Sequence, residues 1–135
     1  MKYIDCAGLI VVKERRLLLA FSSNKKAWYL PGGKIDKGET PVAALKREVR
    51  EELNIDLPEE TLQWYYYIEA PAFGEQELLM KQHCFIHDLQ QEPRPSAEIE
   101  AIRYFTPASY KNEIHQVKGV LLAFEKLQQD GLVDG

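Results

Sequence analysis

The chain has 135 residues, 45% of them hydrophobic and 28% charged, with 17 Lys and Arg set against 21 Asp and Glu. That length suits one domain, residues 1–135, with a core of its own, and a formal net charge of −4 argues against non-specific binding to nucleic acid or to an anionic membrane. No run approaches the ~20 apolar residues of a membrane span, and the first apolar stretch, interrupted by Asp5 and followed at once by charge, does not read as a signal peptide.

Residues 4–13 are rich in Ile and Val on both strand faces and read as a buried strand. Glu14 and Arg15 form a tight connection to a second strand over residues 16–22, its hairpin partner. A polar loop covers 23–27. The run "WYLPGGKIDKGET" follows, dense in turn residues. A helix is then marked at both ends. Thr40 caps it, Pro41 takes the first helical position, and Asn54 is placed to adopt the left-handed conformation that closes it after Leu53. Residues 62–70 form an aromatic strand, 71–77 a loop, and 78–89 a long strand with Met80, Cys84 and Ile86 on one face. A Pro-rich loop, a short strand over 101–106 and an amphipathic helix over 113–129 complete the chain. The fold class is α/β, a mixed β-sheet with helices packed on its faces. Cys6 and Cys84, the only cysteines, read as reduced and buried, which fits a cytoplasmic protein.

The helix over 41–53 poses a physical problem. At about 100° per residue, Val42, Leu45, Val49 and Leu53 form its apolar stripe. Lys46, Arg47 and Arg50 fan out on one side of the stripe, and Glu48, Glu51 and Glu52 on the other. Glu52 borders the stripe and is expected to be partly buried. Acids near a helix C-terminus oppose the macrodipole, and Glu48 and Glu52 repel at i,i+4. A hard divalent cation answers both objections, because carboxylates at this spacing converge on one side. No His or Cys lies on that face, which disfavours zinc, and "IDKGET" lacks the alternating acidic ligands of an EF-hand. The glycines of "PGGK" let a backbone approach closely, so Gly33 can offer a carbonyl and Lys34 can meet a phosphate. Carboxylate-held metal beside a glycine turn and a lysine is chemistry for cleaving phosphate esters or anhydrides.

From Gly33 through Glu39 to Arg47-Glu48-Val49, Glu51-Glu52 and Ile55, the spacing resembles the Nudix box, here residues 33–55, and "PGGKIDKGET" resembles its MutT-like subgroup. The resemblance implies a Nudix-type α/β/α sandwich and a Nudix hydrolase dependent on Mg²⁺ or Mn²⁺. It implies that Glu48, Glu51 and Glu52 hold metal, with one of them helping to activate water, and that Gly33 adds its carbonyl. By the same resemblance, Arg47 orients the glutamates and Glu39 ties the loop to the helix through Arg47. The family often supplies another carboxylate from a loop before a late strand. Glu98 is preferred for that role over Glu100, because it lies nearer the loop. Asn54 stands where the family usually has Gly, a change the left-handed conformation tolerates.

The implied reaction is hydrolysis of a nucleoside diphosphate linked to another group. The leading substrate is a nucleoside triphosphate or an oxidised nucleotide, giving a nucleoside monophosphate and pyrophosphate. ADP-ribose, a nucleotide sugar or a dinucleoside polyphosphate is the alternative within the family, and a non-catalytic nucleotide-binding regulator the alternative outside catalysis. Among the aromatic residues, Phe73 is the best candidate to stack on a base because it sits in a loop; Trp28, Tyr29, Trp64, Tyr65, Tyr66, Tyr67 and Tyr104 are assigned to the core. His83 and His87, four residues apart on one strand face and so roughly 13 Å apart, are too far from each other to share a metal. The expected partner is a small nucleotide, with neither nucleic acid nor membrane, and the protein is expected to be a monomer or a homodimer.

Overall fold

The computed structural model describes residues 2–134. Strand β1 spans Lys2–Ile10 and is separated at Val11 from the short β2, Val12–Lys13. The single strand expected over 4–13 is therefore two. Glu14 and Arg15 both take positive φ, 53° and 63°, and turn β2 back onto β3, Arg16–Ser22, in register Val12↔Leu17. Strand β4, Ala27–Tyr29, pairs antiparallel with β3. Gly32–Lys34, expected as a turn, is strand β5, antiparallel to β1 with Gly32 opposite Gly8. The turn chemistry of the glycines is overridden by an open strand edge. At Gly32, with φ 135°, an added Cβ would lie 2.1 Å from the Ala7 carbonyl oxygen, so only glycine fits this pairing.

Helix α1 spans Pro41–Leu53, as its end signals require. Strand β6, Gln63–Pro71, and β7, Leu78–Ile86, are antiparallel neighbours, and β7 runs parallel to β1 along its whole length. β7 stops at Ile86, short of the expected Leu89. Strand β8, Ile99–Phe105, pairs with β3. The two sheets are thus β5-β1-β7-β6 and a second built on β3, flanked by β2 and β4 on one side and β8 on the other.

The last helix begins later than the apolar spacing suggests. Thr106 and Ser109 form a reciprocal capping box around a four-residue helix α2, Pro107–Tyr110, and α3 starts only at Lys118. Tyr110, fully buried, fixes that break: its hydroxyl accepts the Val117 N–H and donates to the Trp28 carbonyl.

Helix α1 packs on β1 and β5, and α3 packs on β6. The core has two parts. Leu45, Val49 and Leu53 of α1 meet Ala7, Leu9 and Phe85 on one side of the first sheet. Val120, Phe124 and Leu127 of α3 meet Ile68, Ala70 and Cys84 on the other. Cys6 and Cys84 are free, buried thiols, as expected, and burial pushes their pKa values up to about 11 and about 12. No helix is long and apolar enough to cross a membrane.

Candidate active site

The site is built on α1. Thr40 Oγ1 accepts the Ala43 N–H at 3.1 Å and fixes the start of the helix. Arg47, on the same helix, ties three groups together. Its Nε and Nη2 grip the Glu39 carboxylate in a two-point contact, each at 2.9 Å, while Nη2 also reaches the Lys34 carbonyl at 3.1 Å. Its Nη1 donates to Glu48 at 2.8 Å. The box loop, strand β5 and the helix are thereby fixed to one guanidinium. The Arg47 fork holds Glu39 down at about 2.

The three helix glutamates have different surroundings. Glu52 is 5% exposed, more deeply buried than its border position suggested. Its Oε1 accepts the Gly32 N–H at 3.0 Å. Burial is the main cause that pushes its pKa up to about 8, and Glu48, Glu98 and Glu51 add to the rise against the pull of that hydrogen bond. Glu48 is also raised by burial, opposed by Arg47. It lies directly beneath Gly33, where a Cβ would meet its carboxylate at 2.6 Å. Gly33 thus brings bare backbone against an acid, the close approach expected of it. Glu51 is largely exposed and stands 3.8 Å from Arg47.

Glu98 reaches this cluster by a route invisible in the sequence. The loop over 87–98 is laced to the C-terminal end of α1. Arg94 N–H donates to the Leu53 carbonyl and Ser96 N–H to the Glu52 carbonyl, each at 2.9 Å, and the Ser96 hydroxyl donates to the Glu51 carbonyl. These bonds satisfy carbonyls that a helix end leaves without partners. From the other side, Asn24 Nδ2 donates to Glu98 Oε2 at 3.1 Å, and Ser23 donates its N–H and its hydroxyl to the Glu98 carbonyl. The Glu98 charge is felt at both Glu48 and Glu52. Glu100 is exposed and has no side-chain hydrogen bond or ion pair among the described residues. Asn24, Ser23, Ser96 and the Gly32 N–H were not singled out by sequence reasoning. Only the glycine carried a local signal.

Asn54 adopts φ 59° and ψ 37°, and its side chain does more than tolerate that conformation. Its Nδ2 donates to the Arg94 carbonyl at 2.8 Å, a further stitch in the same loop. Asn54→Gly is expected to keep the turn and lose the stitch, costing about 0.5–1.5 kcal/mol, less a small gain from easier φ. Urea unfolding, read beside turnover, checks this. Unchanged stability and unchanged rate would show that the stitch contributes nothing.

Lys34 is exposed on β5 and has no carboxylate partner among the described residues. Phe73 packs edge-on against Tyr29 at 6.3 Å and against His115 at 5.7 Å. His115 carried no sequence signal for this cluster. Trp28 is buried in the core as expected, while Trp64 is 57% exposed, contrary to its assignment there. Trp64 lies on edge strand β6. His83 lies against Tyr67, ring centroids 5.0 Å apart and planes tilted by 52°, and His87 is buried against Thr61.

Among the described residues, no three carboxylate, imidazole or thiol groups converge tightly enough to enclose an ion. Glu48 is turned to Arg47, Glu52 to the Gly32 N–H, and Glu51 to solvent. The donor set still suits a hard divalent cation. It is all oxygen, and its members raise one another's proton affinity.

The NUDIX domain family model matches residues 2–123. A MutT-like protein of Streptomyces ambofaciens is 35% identical over 119 residues, covering 88% of this chain and 73% of its own length. An RNA pyrophosphohydrolase of Francisella tularensis subsp. mediasiatica is 31% identical over 68 residues, 47% of this chain and 44% of that protein. An 8-oxo-dGTP diphosphatase of Proteus vulgaris is 40% identical over 60 residues, 42% of this chain and 54% of that protein. For the last two, the match spans about half of the relative's length. The crystal structure of a MutT NUDIX hydrolase from Burkholderia pseudomallei superposes with a TM-score of 0.78 at 22% identity, covering 94% of this chain and 99% of that one. With the family model spanning nearly all of a chain whose box residues are gathered at one helix, this protein belongs to the Nudix hydrolase family, among its MutT-like members.

Proposed function

We propose that the protein hydrolyses a nucleoside triphosphate, oxidised forms included, to a nucleoside monophosphate and pyrophosphate, with Mg²⁺ or Mn²⁺. The observation that carries this reading is Glu52, a buried acid pushed up to about 8 and surrounded by Glu48, Glu51 and Glu98. Such a cluster is tolerable with a cation and an electrostatic burden without one. Glu48, Glu51, Glu52 and the Gly33 carbonyl would hold the ion, which when bound neutralises the diphosphate and lowers the pKa of water.

The chain's own residues supply the rest. Glu52, the most deeply buried of the helix acids and held by the Gly32 N–H, is assigned the proton of the attacking water. Glu98, whose charge is felt at Glu48 and Glu52, is the proposed second acid. Arg47 acts as a positioning residue, because its donors are committed to Glu39, Glu48 and Lys34. Lys34, exposed at the end of β5, is the proposed contact for a phosphate oxygen. Phe73, with Tyr29 and His115, offers a ring surface for the base.

Purified protein with Mg²⁺ or Mn²⁺ is expected to release pyrophosphate from at least one triphosphate faster than it cleaves ADP-ribose, a nucleotide sugar, a dinucleoside polyphosphate or a 5′-triphosphorylated RNA. Nucleotide binding without release of pyrophosphate or phosphate under either metal would overturn the catalytic reading in favour of a regulator. Preferential cleavage of one of the other four would move the substrate.

A further inference from the structure

Gln82 is one of few buried polar side chains, 7% exposed, and the acidic cluster does not use it. It sits on β7 between Cys6 of β1 and Ile68 of β6, on the face of the first sheet that meets α3. Its Oε1 takes a long contact from the Cys84 thiol, at 3.9 Å. Its Nε2 has no hydrogen-bond partner among the described residues. No fully enclosed side-chain nitrogen or oxygen among them lacks a partner, so this NH₂ group keeps some access to solvent. A ligand that displaces solvent there loses affinity unless it replaces the bonds to those donors.

Its position says what could. An added Cβ at Gly8 would lie 2.7 Å from Gln82 Nε2, so the amide lies over the bare backbone of Gly8. Gly8 pairs with Gly32, itself without a side chain, and the Gly32 N–H holds Glu52. Gly32, on the edge strand that holds Glu52, and Gly8 therefore leave bare backbone leading across two strands to the Gln82 amide, about 10 Å at ordinary strand spacing. That is the reach of a nucleotide from its phosphates to the far edge of its base.

We infer that Gln82 reads the nucleobase and that its free NH₂ group selects a base presenting a carbonyl acceptor over one presenting an amino group. The inference rests on the nucleotide reading above. With Oε1 facing the Cys84 thiol, the side chain presents donors. A keto base accepts from them, whereas an amino base sets N–H against N–H and leaves both unpaired.

Inosine and adenosine triphosphates test this, because they differ chiefly in a carbonyl or an amino group at one position. The wild-type kcat/KM is expected to favour ITP over ATP by about 10-fold or more. Gln82→Met should bring that ratio close to 1, and Gln82→Glu, which presents acceptors, should shift it towards ATP. Gly8→Ala leaves Gln82 in place but pushes its amide aside, and should reduce the ratio as well. Should the Gln82 variants fail to fold, the side-chain NH₂ resonances of wild-type Gln82 still decide. They should shift on titration with IMP and much less with AMP. Equal turnover of ITP and ATP by wild type, an unchanged ratio in active Gln82→Met, or amide resonances that ignore IMP would each overturn the role of Gln82 alone. Absence of turnover and binding for every nucleotide would instead overturn the functional reading beneath it.

Discussion

Glu52→Gln is expected to lower kcat on a nucleoside triphosphate by at least about 100-fold, while the metal-free protein becomes more stable at neutral pH. Gln has the shape of Glu, and its Oε1 can still accept the Gly32 N–H that holds the native side chain at 3.0 Å. What is lost is a proton acceptor and a negative charge. The stability half of the prediction follows from the raised pKa. In the unfolded chain Glu52 titrates near 4.5, and in the folded protein near 8. Below pH 4.5 both states hold the proton, and the group makes no difference. Between pH 4.5 and 8 the unfolded state has released a proton that the folded state retains, so stability falls as pH rises through that window. Above pH 8 the loss is complete, and it amounts to a few kcal/mol at most. The Gln variant escapes this decline. In chelator-treated samples, wild type should therefore lose melting temperature from pH 5 to pH 8 more steeply than the variant. Added Mg²⁺ should restore the wild type most at the alkaline end, where the site no longer holds a competing proton. Parallel curves for the two proteins, or near-normal turnover by the variant in Mg²⁺, would mean that Glu52 is neither buried acid nor catalytic group.

The second large effect is expected at Arg47. Arg47→Ala removes the two-point contact to Glu39, the bond to Glu48 and the bond to the Lys34 carbonyl together. The side chain is about one-third exposed, so solvent softens the loss; a cost of about 1–3 kcal/mol is expected. Turnover should drop further than stability suggests, by about 10-fold or more, because Glu48 and strand β5 both lose their common support. Arg47→Lys separates charge from shape. A lysine keeps the positive charge but cannot fill a planar fork with four acceptors around it. It should recover less than half of the lost stability and little of the activity, by urea unfolding and kcat. If Lys matched Arg in both measurements, charge alone would account for the position. The acid limb offers a second readout. The Arg47 pairing holds Glu39 low, so it contributes stability above pH 4.5 that is lost as pH falls towards 2. That contribution should shrink in Arg47→Ala to what the Asp36 N–H, which also donates to Glu39, sustains alone.

The sequence was informative where structure is set by neighbours a few residues away. Thr40, Pro41 and Asn54 marked both ends of α1, because caps act within one turn. The segregation of acids from bases around α1 was visible because side chains three and four apart share a face. The segregation pointed to a cation, and the family match agrees with the chemistry it implied. The same local logic failed where a distant partner decides. "GGK" carries turn propensity, yet it became a strand because β1 offers an unpaired edge and only glycine fits beside Ala7. The last helix begins at Lys118 and not at Glu113 because Tyr110 is buried and claims the Val117 N–H.

Local spacing along the chain thus determined the box helix, its caps, its carboxylate face and the α/β class. Only the tertiary structure decided that β7 runs parallel to β1, that the Pro-rich loop is laced to the end of α1, and that the Glu98 charge is consequently felt by Glu48 and Glu52. It also decided which of the glutamates is buried deeply enough to keep its proton near neutral pH, and that the Gln82 amide lies over Gly8. The reason is range. Caps and helix faces are fixed by bonds within four residues, whereas strand register, loop docking and desolvation depend on groups brought together across the whole chain.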